Sequence, residues 1–231
     1  MDTACAVGFD IDHTLCIDNK LERVAFLHLL DTVIDEGGVA RGSLAQESDH
    51  IDALLVFARG GGSIEEAVRR FVAERGVEPA DEHVAGFKRM ALGMADSFIV
   101  PDPHARRTIA ALERLDIPIG VLSNGWNPLQ IAKARLAGFG GTVLASADLG
   151  VEKPNPVAFA ALARELGTDP SRCLYVGDDP RADVGGALSA GFQAVWLDHE
   201  GKKYPTDLPP PTHVVRSLEE VLALVAAEAG V

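Results

Sequence analysis

Cysteine is scarce in this 231-residue chain: Cys5, Cys16 and Cys173 are odd in number and widely spaced. They fit neither a disulfide framework nor a CxxC metal site, which points to a reducing compartment. Basic runs are missing too. The formal net charge is −13, from 21 Lys and Arg against 34 Asp and Glu spread along the chain. A nucleic-acid partner needs clustered Lys and Arg, so that class is excluded. No apolar run approaches the roughly 20 residues that span a bilayer, so no membrane partner is expected. The opening residues lack a basic leader and meet an acid at Asp10, too early for a signal peptide. Together these absences lead us to expect a soluble, cytoplasmic protein. There is no internal repeat, the one biased stretch (Pro209-Pro210-Pro211) is a short connector, and nothing in the sequence indicates an oligomeric state.

What is present suits a folded enzyme. Hydrophobic residues make up 47% of the chain, enough for a sizeable core, and charged residues 24%. The length suits one large domain, or a core domain carrying a smaller insert. Residues 4–9 form a short apolar run that stops at Asp10, the pattern of a buried parallel strand. From about Leu21 to Phe98 the period becomes helical. Ile64, Ala67, Val68, Phe71 and Val72 share one face, Ser63 and Glu66 form a capping box, and Asp81 stands as the next N-cap. Gly60, Gly61 and Gly62 break the preceding helix, and the whole region reads as a bundle of about four helices. After Pro101, apolar segments at 117–122, 143–145, 173–176 and 194–197 alternate with helices. Asn127-Pro128 and Asn155-Pro156 each read as an N-cap before a Pro at the first helical position. Gly138 and Gly167 stand past the ends, and Ser217 with Glu220 caps the last helix. Such alternation predicts an α/β fold, a parallel sheet with helices on both faces. The expected organisation is a core of residues 1–15 and 99–231, interrupted by a helical domain at 16–98 placed to act as a lid.

Four elements carry chemistry, each expected at a strand end of one sheet. Asp10-Ile11-Asp12-His13-Thr14 offers two carboxylates, one as nucleophile and one as general acid and base. Ser123-Asn124 offers a hydroxyl and a backbone N–H for a phosphoryl oxygen. Lys153, ahead of a helix, adds a cation where anions are already favoured. Gly177-Asp178-Asp179-Pro180-Arg181-Ala182-Asp183 offers oxygen ligands of the kind Mg²⁺ takes. Read singly, these are also ordinary loop acids, a turn and a surface lysine. Gathered in one place, each pair of like charges at about 4 Å repels by roughly 4 kcal/mol at an effective dielectric of 20, so the set calls for a cation.

The order and spacing of these elements resemble the haloacid dehalogenase-like superfamily, specifically its phosphatase branch. The resemblance rests on Asp10-Ile11-Asp12-His13-Thr14-Leu15, Val121-Leu122-Ser123-Asn124, Lys153-Pro154 and Gly177-Asp178 followed by Asp183. It implies a Rossmann-like core with an inserted helical cap, Mg²⁺ as cofactor and a small phosphorylated metabolite as substrate. Asp10 would become the aspartyl phosphate, and Asp12 would protonate the leaving alcohol and then activate water. The metal would be held by Asp10, Asp178 and the main-chain carbonyl of Asp12, with Asp183 behind them. Ser123, Asn124 and Lys153 would bind the phosphoryl group, and Thr14 would orient the first loop. His13 stands where many relatives have Gly, and Asp179 directly follows an expected ligand. A carbon-acting dehalogenase, a sugar phosphomutase, a phospho-receiver module and a metabolite-binding relative are the alternatives. Asp12 speaks against the first, and the long insert speaks against the receiver. Asp18, Asn19, Lys20, Arg59, Lys88 and Arg89 are the candidates for substrate selectivity within the cap.

Overall fold

A computed structural model describes residues 6–201 and 203–229, with side chains to residue 226. Cys5, the second residue of the expected first strand, lies outside the described residues. The chain divides into two compact units, one reaching Ile17 and resuming at Val100, the other Asp18–Ile99.

The first unit is built on six parallel strands: β1 (Ala6–Phe9), β4 (Ile119–Ser123), β5 (Val143–Ala145), β6 (Cys173–Gly177), β7 (Gln193–Leu197) and β8 (His213–Val215). Two further strands, β2 (Cys16–Asp18) and β3 (Ile99–Pro101), pair with each other as a separate ribbon. Their pairing is why the helical unit begins at Asp18 and ends at Ile99, where the sequence pattern gave 16 and 98. The main sheet runs β5-β4-β1-β6-β7-β8. From central β1 the chain first fills one side and then crosses to the other, and open α/β sheets place their ligands at such a switch point. In register, Phe9 of β1 faces Val121 of β4 and Val176 of β6. Asp10, Ser123 and Asp178 therefore leave the sheet from its C-terminal edge within two residues of one level.

Helices α6 (Ala105–Arg114), α7 (Leu129–Leu136), α8 (Ser146–Leu149), α9 (Pro156–Leu166), α10 (Gly186–Ser189) and α11 (Leu218–Ala229) complete this unit. A Cβ on Gly8 would lie 2.6 Å from the Leu162 side chain, and one on Gly120 2.8 Å from it, so these glycines let α9 approach β1 and β4 closely. Phe159 and Leu162 of α9 join Tyr175, Phe192 and Trp196 in the core. Burying each such large side chain stabilises by about 1.5–3 kcal/mol.

The second unit holds α1 (Leu21–Asp35), α2 (Leu44–Arg59), α3 (Ile64–Ala73), α4 (Asp81–Gly93) and the single turn α5 (Ala95–Phe98). Its centre is aromatic: the Phe26 ring lies 5.1 Å from Phe71 and 4.7 Å from Phe87. Arg75 and Glu47 form a buried ion pair, with the guanidinium 3.4 Å over the Phe71 ring. The Ser63–Glu66 capping box is formed, and Ser43 with Gln46 makes a second one. No helix among the described residues is long and apolar enough to cross a membrane.

Several helix ends differ from the sequence pattern. Asp81 is the first residue of α4, and the His83 ring accepts the Ala80 N–H at 3.0 Å in place of an Asp cap. Helix α7 starts at Leu129, because Asn127 turns its amide to Asp148 at 2.7 Å. Asn155 does cap α9, accepting from Val157 at 3.0 Å. Glu220 accepts the Arg216 N–H at 3.2 Å, one residue ahead of the expected Ser217. Lys153 arrives through α8 and the turn before α9, and not from a strand end.

Candidate active site

The first loop is tight because the Ile11 carbonyl accepts N–H groups from Thr14, Leu15 and Cys16 at 3.2, 2.9 and 2.9 Å. His13 sits at its tip, exposed, with φ of 61°. Left-handed backbone costs a non-glycine residue energy, and the 2.7 Å bond from its N–H to the Cys16 carbonyl helps to hold it there. Asp10 is anchored through its own N–H to the Val176 carbonyl at 2.9 Å, which ties β1 to β6 at the point where the acids begin. Thr14 is buried, and its hydroxyl has no hydrogen-bond partner among the described residues.

Lys153 is the hub. Its ammonium donates to Asp10 at 2.6 Å, to Asp183 at 2.6 Å and to the Tyr175 hydroxyl at 3.0 Å. These three acceptors match the three protons of an ammonium. Tyr175 passes its own proton to the Leu122 carbonyl at 2.7 Å, which fixes the hydroxyl as an acceptor toward Lys153. The Lys153 backbone is held equally firmly. The Asn124 amide accepts its N–H and donates to its carbonyl, both at 2.8 Å. Asn124 thus clasps the loop of Lys153 to the end of β4, beside the buried Ser123.

Asp183 lies in a π-helical turn, Pro180–Gly185, whose start is capped by Asp179 accepting from Arg181 and Ala182 at 2.7 Å each. Asp179 is therefore occupied in shaping the turn that carries Asp183. The second Asp183 oxygen accepts the Asp179 N–H at 3.0 Å. A Cβ on Gly177 would fall 2.3 Å from the Asp183 carboxyl carbon, so only glycine lets that carboxylate lie against β6. Asp178 is fixed from behind by the Trp196 indole, which donates to its carbonyl at 3.0 Å.

One carboxylate oxygen from each of Asp10, Asp178 and Asp183 lies within 4.8 Å of the others. Asp183, read from sequence as standing behind the ligands, is one of the three that converge. Burial pushes the Asp10 carboxyl well above the usual range; Lys153 pulls it down, and Asp183 and Asp12 push it up again. Burial, reinforced by Asp183 and Asp179, raises Asp178 to about 7. Burial works against the Lys153 ammonium, but Asp10 and Asp183 outweigh it and hold the group well above its ordinary value. The site is over-supplied with negative charge even with its lysine in place. Its donors are all hard oxygens, which fits a small divalent cation.

Asp12 is held apart from this cluster. Its carboxylate accepts from Lys133 of α7 at 2.7 Å. Sequence reasoning missed Lys133, which lies on the inward face of that helix with Leu129, Gln130 and Ala134. The residues considered for selectivity make contacts within the helical unit. Asp18 accepts the Leu21 N–H at 2.8 Å, Arg59 pairs with Glu22 at 3.2 Å, and Lys88 and Arg89 pair with Glu65 and Glu82. Lys20 adopts φ of 63° at the start of α1, and Asn19 donates its backbone N–H to Phe98 at 3.0 Å.

A family model for haloacid dehalogenase-like hydrolases matches residues 6–191. Among named relatives, a glyceraldehyde 3-phosphate phosphatase of Methanopyrus kandleri is 28% identical over 193 residues, covering 82% of each chain. A pyrimidine 5'-nucleotidase of Escherichia coli is 32% identical over 158 residues, covering 66% of this chain and 67% of its own. In fold, a 2-haloacid dehalogenase from Pseudomonas syringae superposes with a TM-score of 0.73 at 22% identity, covering 96% of this chain and 98% of that one.

Proposed function

The chain belongs to the haloacid dehalogenase-like hydrolase family, and we propose that it is a Mg²⁺-dependent phosphatase that hydrolyses a small phosphomonoester through an aspartyl phosphate on Asp10. The observation that carries this reading is the Asp10–Lys153–Asp183 chain, 2.6 Å at each link, beside Asp178 and with the separate carboxylate Asp12 two residues on. Asp10, Asp178 and Asp183 would hold the metal, with the Asp12 carbonyl a further oxygen donor. Bound there, a divalent cation supplies charge neutralisation for a phosphoryl group.

The protein's own groups account for the proton and bond changes. Lys153 aims Asp10 and offsets part of the upward push that burial gives its carboxyl. An Asp10 oxygen attacks phosphorus as the bond to the ester oxygen breaks, and the Asp12 carboxyl gives its proton to the departing alkoxide. Asp12, now a carboxylate, takes a proton from water, and that water oxygen attacks phosphorus. The bond to Asp10 breaks, releasing inorganic phosphate and leaving Asp12 protonated. Ser123 and the backbone around Asn124 stand at the same sheet edge to receive phosphoryl oxygens. On this reading the helical unit is a cap domain, and selectivity among small metabolites is to be sought in its polar residues.

The dehalogenase reading has the same nucleophile but no departing alkoxide, so it leaves Asp12 without work. Likeness to a dehalogenase at 22% identity concerns the fold. The test is phosphate release from a panel of small phosphomonoesters, with Mg²⁺ or with chelator, for wild type and Asp10→Asn. We expect activity only with the metal, and a loss of about three orders of magnitude or more in the variant. Full activity in Asp10→Asn, or halide release from 2-haloacids without phosphate release, would overturn the reading.

A further inference from the structure

We propose that Lys133 is a positioning residue for Asp12, a second active-site lysine that holds the acid–base carboxylate as Lys153 holds the nucleophile. The proposal rests on the phosphatase reading above.

Helix α7 turns Leu129, Gln130, Lys133 and Ala134 inward. Leucine or methionine at 133 would pack there without the cost of desolvating an ammonium. The lysine is nonetheless buried, its side chain 2% exposed, and its ammonium lies 2.7 Å from Asp12 Oδ1. Asp12 itself remains 32% exposed, so the charge is buried on the lysine's side of the pair and open on the carboxylate's. A second tie joins the same two segments, since the Cys16 thiol donates to the Lys133 main-chain carbonyl at 3.3 Å. Residue 133 is thus pinned to the first loop by its backbone and by its head group. Asp12 also pairs with Cys16 in a bridge at the loop's close, so the backbone of the acid is tied to the residue whose thiol reaches Lys133.

The division of labour follows from the geometry. Lys153 contacts Asp10 and Asp183, while Lys133 contacts Asp12. The nucleophile and the proton carrier stand two residues apart on one tight loop, and each is aimed by its own ammonium.

The test compares wild type, Lys133→Met and Lys133→Arg on two Mg²⁺-supported substrates: the best alkyl phosphate of the panel and p-nitrophenyl phosphate. Nitrophenolate leaves without needing a proton, whereas an alkoxide does not. A misplaced Asp12 should therefore lower kcat/KM for the alkyl ester by about 10²-fold or more, and for the nitrophenyl ester by less than about 3-fold. It should also slow the water attack, giving a burst of nitrophenolate before a slow steady rate. Lys133→Arg should restore most of the alkyl activity. Equal loss on both esters, or no loss on either, would overturn the proposal, because a structural pin does not sense the leaving group. Circular dichroism checks folding. If Lys133→Met is unfolded, Lys133→Gln takes its place with the same expected split. Asp10→Asn is assayed alongside: wild-type turnover in that variant brings down the phosphatase reading and this proposal together, whereas a dead Asp10→Asn with an unaffected Lys133→Met brings down only the proposal.

Discussion

Asp178 shows how one residue can serve function at the expense of stability. A buried acid raised to about 7 prefers its protonated form in the folded state. Its contribution to stability is therefore greatest below the ordinary value of 3.8 and is lost as pH rises toward 7. At pH 8 the metal-free protein holds Asp178 charged against Asp183 and Asp179, and a bound cation relieves that repulsion. Asp178→Asn should accordingly raise the melting temperature in chelator at pH 8 and abolish the rise that Mg²⁺ gives wild type. Each kcal/mol is worth about 2–4 °C in a chain of this size. Thermal melts with and without the metal check both halves, and a variant that melts lower in chelator would contradict the argument.

At the level of elements, the glycines of β1 and β4 decide how near α9 can lie. Gly8→Ala would drive a methyl group against Leu162 and Tyr175. We expect a loss of about 1–3 kcal/mol by urea unfolding, the ordinary cost of overpacking. Activity should also fall, because α9 and β6 carry the Lys153 loop and its Tyr175 partner. The same scale explains what could be read from sequence. Strand ends were legible because apolar runs stop abruptly at Asp10, Ser123 and Asp178, so three of the four candidate groups could be placed before any packing was known, whereas Lys153 lies in a loop before α9. The Ser63–Glu66 box was legible because its signal is local. Lys133 was not, since its meaning depends on which face of α7 is buried, and that is set by packing against β5 and the distant first loop. Strand β8 was missed because three residues opening on a histidine carry too little pattern. Asn127-Pro128 misled because the Asn side chain found a stronger partner in Asp148 than in its own helix. Tyr175 looked like an ordinary strand residue and Gly177 like the opening of an acidic loop; only the fold shows that one supports Lys153 and the other makes room for Asp183.

At the scale of the whole molecule, the insert is a self-contained unit. Asn19 and Phe98, at its two ends, are joined by a 3.0 Å hydrogen bond, so its termini are adjacent. It owns an aromatic centre in Phe26, Phe71 and Phe87, and both partners of the Arg75–Glu47 pair. A protein of residues 18–99 alone should therefore be helical by circular dichroism and melt cooperatively. A broad, non-cooperative melt would show that it borrows its stability from the sheet. The acidic balance of the whole chain, −13 overall, makes the two buried lysines of the first unit conspicuous. Both contact carboxylates of the candidate site, Lys153 with Asp10 and Asp183 and Lys133 with Asp12, so scarce positive charge is spent there.

The indole of Trp196, hydrogen-bonded at 3.0 Å to the carbonyl of Asp178, makes the protein its own optical probe. A cation drawn to Asp178 changes the electric field at that ring, so intrinsic fluorescence should shift on titration with Mg²⁺. The chain contains only one other tryptophan, Trp126, so a Trp196→Phe variant that loses the signal would assign it. Cation occupancy could then be followed in real time, without substrate, label or turnover.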